Sequence, residues 1–185
     1  MKIVESPLPG LLLIEPRVFE DPRGYFLESY NQRYLAAHGI DNQFVQDNQS
    51  LSQYGVIRGL HYQLAPYAQS KLVRVLEGSV WDVAVDIRKN SPTFGQYYGI
   101  ELSAKNRLQL YIPQGFAHGF AVTSEWAVFF YKCDSFYHPD SERGIHYQDP
   151  SLKIDWPIPS DRVLVSAKDQ VLPVLSEASM NFIFR

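Results

Sequence analysis

The segment WDVAVDIRK at residues 81–89 sets Trp81, Val83, Val85 and Ile87 at every second position, with Asp82, Ala84, Asp86 and Arg88 between them. A period of two sends successive side chains to opposite faces, so this stretch reads as a strand buried on one face. KLVRVL at 71–76 precedes it across EGS, whose Gly78 can take the positive φ of a tight hairpin. GIEL and RLQLYIP flank SAKN, and HGFAVT and AVFFYK flank SEW, giving two more strand, polar turn, strand units. Their recurrence predicts a mainly β sandwich or barrel built from hairpins. Helix signals are few: NQRYLAAHG at 31–39 offers an Asn cap, helix formers and a stopping Gly39, enough for about two turns. From residue 150 onward Pro150, Pro157, Pro159 and Pro173 interrupt each run, so about 150–185 is expected to wrap over the barrel instead of extending the sheet. With no linker or repeat, residues 1–185 read as a single domain.

Of the 185 residues, 45% are hydrophobic and 14% aromatic, which supplies a core and binding walls. The formal net charge of -3 provides no basic field for nucleic acid or an anionic membrane. An anionic ligand would need local cations. Cys133 is alone, which rules out an intramolecular disulfide or a Cys-based zinc site and fits a reducing compartment. The early apolar run LLLI, closed by Glu15 and Pro16, is too short for a signal peptide or a membrane span. The expected location is the cytoplasm.

Two histidines stand in recognisable settings. Gly55 followed by five residues and His61 matches the first half of one cupin motif, and Pro113, Gly115 and His118 in PQGFAHGF match the other. Cupins are small jelly-roll barrels, in agreement with the strand pattern. Metal-binding cupins carry a second histidine where this chain has Gln63, and a glutamate where it has Lys71. An ammonium repels a divalent ion and Gln is a poor substitute for imidazole, so no metal site is expected. What remains is an acid/base site. His61 could accept a proton if Asp169 fixed its tautomer, Lys71 could stabilise an oxyanion, and Tyr131 could donate a proton from another direction. Taken singly, each has a plain structural reading: a satisfied strand histidine, a turn or cap aspartate, a solvated edge lysine, a packing tyrosine. His38, His138 and His146 read as surface residues.

The combination lifts these odds. DPRGYFLESYN, FVQDNQS, VIRGLHYQ, AQSKLVR, GSVWDVAVDIRKNSPTFG, IPQGFAHGF, YKC, DWP and SAKD together resemble the dTDP-4-dehydrorhamnose 3,5-epimerase family, over residues from about 16 to 173. The resemblance implies a cupin-type jelly roll with no cofactor. It also implies inversion at C3 and C5 of dTDP-4-dehydro-6-deoxy-D-glucose to give dTDP-4-dehydro-L-rhamnose. In that pattern His61 is the base, Asp169 its orienting partner, Lys71 the contact to the enolate oxygen and Tyr131 the acid. The nucleotide end falls to Arg23, Glu28, Gln46, Asn48, Arg58, His118, Glu142 and Lys168, with Phe26 and Tyr137 as walls. A homodimer is implied, in which Arg23, Phe26 and Glu28 serve the partner's site. Related cupins that invert one carbon or move a ketone, and a non-catalytic sugar-nucleotide binder, remain as alternatives. Strict alternation sets Arg58 and His61 on opposite faces, yet both would have to meet one ligand, so a bulge or strong twist is expected at Gly59.

Overall fold

The computed structural model describes residues 1–184. Near the N-terminus lie β1 (Lys2–Glu5), β2 (Leu12–Glu15), β3 (Val18–Asp21), β4 (Gly24–Leu27) and the helix α1 (Gln32–Ala36). The body follows as β5 (Gln46–Gln53), β6 (Val56–Gln63), β7 (Lys71–Glu77), β8 (Ser79–Asp86), β9 (Tyr97–Ser103), β10 (Gln109–Ile112), β11 (Phe116–Val122) and β12 (Trp126–Cys133). Two short strands close the set, β13 (Glu142–Gly144) and β14 (Leu164–Val165). One sheet has the order β1-β2-β10-β7-β12-β5; the other has β13-β6-β11-β8-β9, with β14 parallel to β6 along the same edge as β13. The two sheets stack as a mainly β, cupin-like jelly-roll sandwich with few short helices, and β3 and β4 form a separate two-stranded ribbon.

The strands fall where the alternation places them, but the expected local hairpins do not form. β7 and β8 lie in different sheets, as do β9 and β10, and β11 and β12. From β5 through β13 the chain crosses between sheets at every connection except that from β8 to β9. Gly78 is therefore a corner. Its φ is +73°, and a Cβ there would stand 2.0 Å from the Trp126 carbonyl oxygen. Such corners let each strand bury one face against the opposite sheet, a long-range gain that a two-residue turn cannot encode.

Val73, Val75, Leu110, Ala127 and Phe129 from the first sheet interdigitate with Val80, Ala84, Leu102, Phe116, Phe120 and Val122 from the second. Full burial of a side chain like Phe129 contributes roughly 1.5–3 kcal/mol. Helix α1 starts where Asn31 accepts the Tyr34 N–H at 3.1 Å, and Leu35 covers Ile14, Leu72 and Tyr111 on the outside of the first sheet. The outside of the second sheet is covered too. Ile145, Leu152, Trp156, Leu175, Met180 and Phe182 lie over Leu60, Tyr62, Val83, Val85 and Ile87. This overturns the half-buried reading of β8: Asp82, Ala84 and Asp86 are as inaccessible as Val83 and Val85, because sheet and C-terminal segment enclose both faces.

Candidate active site

A cavity of about 670 Å3 opens between the sheets at the end of the sandwich bounded by β5, β6, β11 and β12. Three strands aim polar side chains into it from positions that elsewhere carry core residues. Lys71 continues the inward face of Val73 and Val75, Tyr131 that of Ala127 and Phe129, and His118 that of Phe116 and Phe120.

On β6 the period breaks. His118 pairs with His61 and Phe120 with Arg58, so two steps on β11 face three on β6. The extra residue is accommodated at Gly59, where φ is +122° and a Cβ would approach Gly119 Cα to 2.6 Å and the His118 carbonyl oxygen to 2.7 Å. Only glycine fits there. The slip turns both Arg58 and His61 into the cavity and sends Leu60 and Tyr62 outward. The irregularity expected at Gly59 is present.

Asp169, in a one-turn 3-10 helix of the covering segment, reaches back to β6. Its Oδ1 accepts from His61 Nε2 at 2.7 Å and its Oδ2 accepts from the Gly59 N–H at 3.3 Å. Burial pulls the Asp169 carboxyl up, but the His61 contact and the Gly59 N–H outweigh it and hold it below its usual range. A carboxylate only accepts, so Nε2 carries the proton of neutral His61 and Nδ1 offers a lone pair.

His118 is arranged similarly: Nε2 lies 3.1 and 2.9 Å from the two oxygens of Asp82. Lys71 Nζ sits 5.8 Å from the Tyr131 ring centre. Burial lowers the Lys71 ammonium pKa, while Cys133, Asp82 and Glu142 oppose that shift. Burial also pushes the Tyr131 phenol up to about 12, so it keeps its proton at neutral pH. Lys71 Nζ, the Tyr131 hydroxyl and Nδ1 of both histidines have no hydrogen-bond partner among the described residues. They are not sealed off either, since among the described residues the sealed, unpartnered side-chain atoms are Trp81 Nε1 and Arg107 Nε. Donors, acceptors and one base thus converge, unspent, on the same space.

Of the residues read from the sequence, His61, Lys71, Tyr131, Asp169, Asn48, Arg58, His118 and Lys168 line the cavity. Gln46, Tyr137 and Glu142 form its rim: Gln46 donates to Asn48 and accepts the Tyr137 N–H, and Glu142 accepts from the Tyr137 hydroxyl and from Lys168. Arg23, Phe26 and Glu28 do not reach it within one chain. Arg23 pairs with Asp21 on the exposed β3–β4 ribbon, Phe26 is 69% exposed, and Glu28 accepts from Asn31. His118, read from the resemblance as a substrate-binding residue, stands beside His61 and Asp82. Gln63, at the would-be ligand position, points away and ties Tyr67, Phe136 and His138 together, a donor set unsuited to a metal ion. Asp82 and Ser52, which accepts from Arg58 Nε, escaped the sequence reading. An acid at an alternating strand position gives no warning when both faces are covered.

The family model for dTDP-4-dehydrorhamnose 3,5-epimerase matches residues 5–177. The chain belongs to the dTDP-4-dehydrorhamnose 3,5-epimerase family. Among epimerase-family relatives, that of Pseudomonas aeruginosa is 56% identical over 171 residues, 92% of this chain and 93% of the relative. The crystal structure of the epimerase from Elizabethkingia anophelis superposes with a TM-score of 0.92 at 56% identity, covering 96% of this chain and 97% of that one. A Legionella pneumophila family member crystallised with dTDP-4-keto-L-rhamnose superposes at 0.91 with 52% identity, covering 95% and 93%.

Proposed function

We propose that this chain inverts C3 and C5 of dTDP-4-dehydro-6-deoxy-D-glucose, giving dTDP-4-dehydro-L-rhamnose, and that His61, Asp169, Lys71 and Tyr131 carry the reaction. One observation supports these roles above the others: His61 rises from β6 in one sheet and Tyr131 from β12 in the other, facing each other across the cavity that Lys71 also lines.

Both carbons flank the C4 ketone, so a proton on either is acidic once the enolate oxygen is stabilised. His61 Nδ1 removes the proton from one face, and Asp169 stabilises the imidazolium that forms. Lys71 meets the enolate oxygen; one donor of this kind contributes about 3–4 kcal/mol in a dry site. Tyr131 returns a proton to the opposite face, which inverts the centre. No electron changes hands, and the tyrosine and histidine regain their states by exchange with water.

Arg58 and Lys168 supply local cations for the diphosphate of this acidic chain, and Asn48 with the Gln46, Tyr137 and Glu142 rim receives the nucleoside. The site is completed in a homodimer by the β3–β4 ribbon of a second copy. Phe19, Tyr25 and Phe26 on that ribbon are exposed and Arg23 cannot reach its own cavity, which supports service in trans. The free, buried Cys133 supports a cytoplasmic location; no helix among the described residues is long and apolar enough to cross a membrane.

Incubation with the dTDP-keto-sugar in heavy water tests the reaction. Deuterium at both C3 and C5 is expected. Label at one carbon would make it a single-site epimerase, and nucleotide binding without label a binding protein. Mixing Arg23→Ala with His61→Asn subunits tests the shared site: activity recovered in the mixture supports it, and none recovered refutes it.

A further inference from the structure

Asp82 is fully inaccessible, lies on β8 diagonal to His118, and makes its only side-chain hydrogen bonds among the described residues to His118 Nε2. A carboxylate buried behind the cavity wall with a single neutral-capable partner costs free energy unless its charge is used. His118 is 7% exposed, stacks over Phe129 at 6.0 Å, and faces the cavity beside His61 and Lys71.

We propose that Asp82 is a positioning residue for the epimerisation chamber, fixing His118 with its proton on Nε2 and serving as the buried counter-charge of Lys71. Because Nε2–H is committed to Asp82, Nδ1 reaches the cavity as an acceptor, suited to a hexose hydroxyl and not to the enolate oxygen. His118 is then a recognition group, and the task of meeting the enolate oxygen is left to Lys71.

Lys71 shares the cavity lining with Tyr131 from β12, His118 from β11, and Arg58 and His61 from β6; Asp82 on β8 is bonded to that His118, and Cys133, Asp82 and Glu142 are the groups that oppose the lowering of the Lys71 pKa by burial. Burial pushes the Cys133 thiol up to about 11, so it is neutral. Glu142 is already engaged by Lys168 and Tyr137. Asp82 is left as the fully buried carboxylate balancing the ammonium. Burial outweighs Asp82 at His118 and keeps its imidazole neutral, which leaves that negative charge available to Lys71.

The kinetic half of this proposal rests on the epimerase reading; the tautomer half does not. Nitrogen-15 NMR of the wild-type protein without substrate should show His118 with a protonated Nε2 and an unprotonated Nδ1 from about pH 7 to 8. An Nδ1–H tautomer, or an imidazolium across that range, overturns the proposal. In the isosteric Asp82→Asn variant the alkaline limb of kcat should move to lower pH, because Lys71 loses a nearby anion, and kcat at neutral pH should fall at least about tenfold. The Kd for dTDP should stay within about twofold, since Asp82 acts on the sugar end. A folded Asp82→Asn protein with an unchanged pH profile refutes the counter-charge role. Failure of the wild-type protein to exchange hydrogen at carbon would refute the epimerase reading while leaving the NMR result to stand by itself.

Discussion

His61 Nε2 donates to Asp169 Oδ1 across 2.7 Å, although 108 residues separate the two in the chain. The other Asp169 oxygen takes the Gly59 N–H, so one carboxylate orients the imidazole and secures the backbone slip that aims it. His61→Asn should lower kcat by about 10²–10⁴-fold, the usual contribution of a positioned base, with little change in dTDP affinity. Asp169→Asn should show a smaller loss of the same kind. Steady-state kinetics beside a binding isotherm checks both; a change confined to KM would contradict the base assignment.

Tyr131 and His61 stand on different sheets, and this separates proton removal from inversion. Tyr131→Phe should still exchange substrate hydrogen with heavy water through His61 while forming inverted product at least about a hundredfold more slowly. Proton NMR of recovered substrate and product reads the two together. Loss of exchange in step with inversion would show that Tyr131 is needed earlier.

Gly59→Ala places a methyl group 2.6 Å from Gly119 Cα at a φ of +122°. The expected destabilisation is about 1–3 kcal/mol, with activity falling further than stability because Arg58 and His61 lose their common face. Gly39→Ala, also at positive φ but with nothing within 4 Å, should cost about 1–2 kcal/mol and leave kcat intact. Urea unfolding curves and kcat for the pair make the comparison.

Burial would raise the Asp86 carboxyl, but hydrogen bonds from Arg88, Ser91 and Thr93 outweigh it and hold it below its ordinary 3.8. A depressed carboxylate adds stability above its unfolded pKa and loses it as pH falls through the folded value. Tm should therefore decline on acidification below about pH 4, and Asp86→Asn should be less stable near neutrality with a shallower acid decline. Thermal scans of both proteins between about pH 7 and 2.5 decide it; parallel curves would remove Asp86 from the acid transition.

Much of this was legible locally. The period of two marks the strands, Asn31 marks the helix start, and the three-residue gap between Arg58 and His61 points to Gly59. Strand partners were not legible. KLVRVL and WDVAVDIRK looked like two arms of a hairpin, yet β7 pairs with β10 and β12 while β8 pairs with β9 and β11. The silence of Asp82 has the same origin, because it depends on which sheet covers which face.

By itself the sequence determined the side of the backbone each strand residue occupies, the one point where glycine lets that order slip, and a set of side chains suited to proton transfer and unsuited to a metal. Those are properties of neighbours along the chain. Only the tertiary structure decided that β8 is enclosed on both faces, that Asp82 reaches His118, that Asp169 returns to His61, and that Arg23 and Phe26 lie away from their own chain's cavity. Burial and charge pairing are settled by segments far apart in sequence, and alternation records which face a residue shares but not what will cover it.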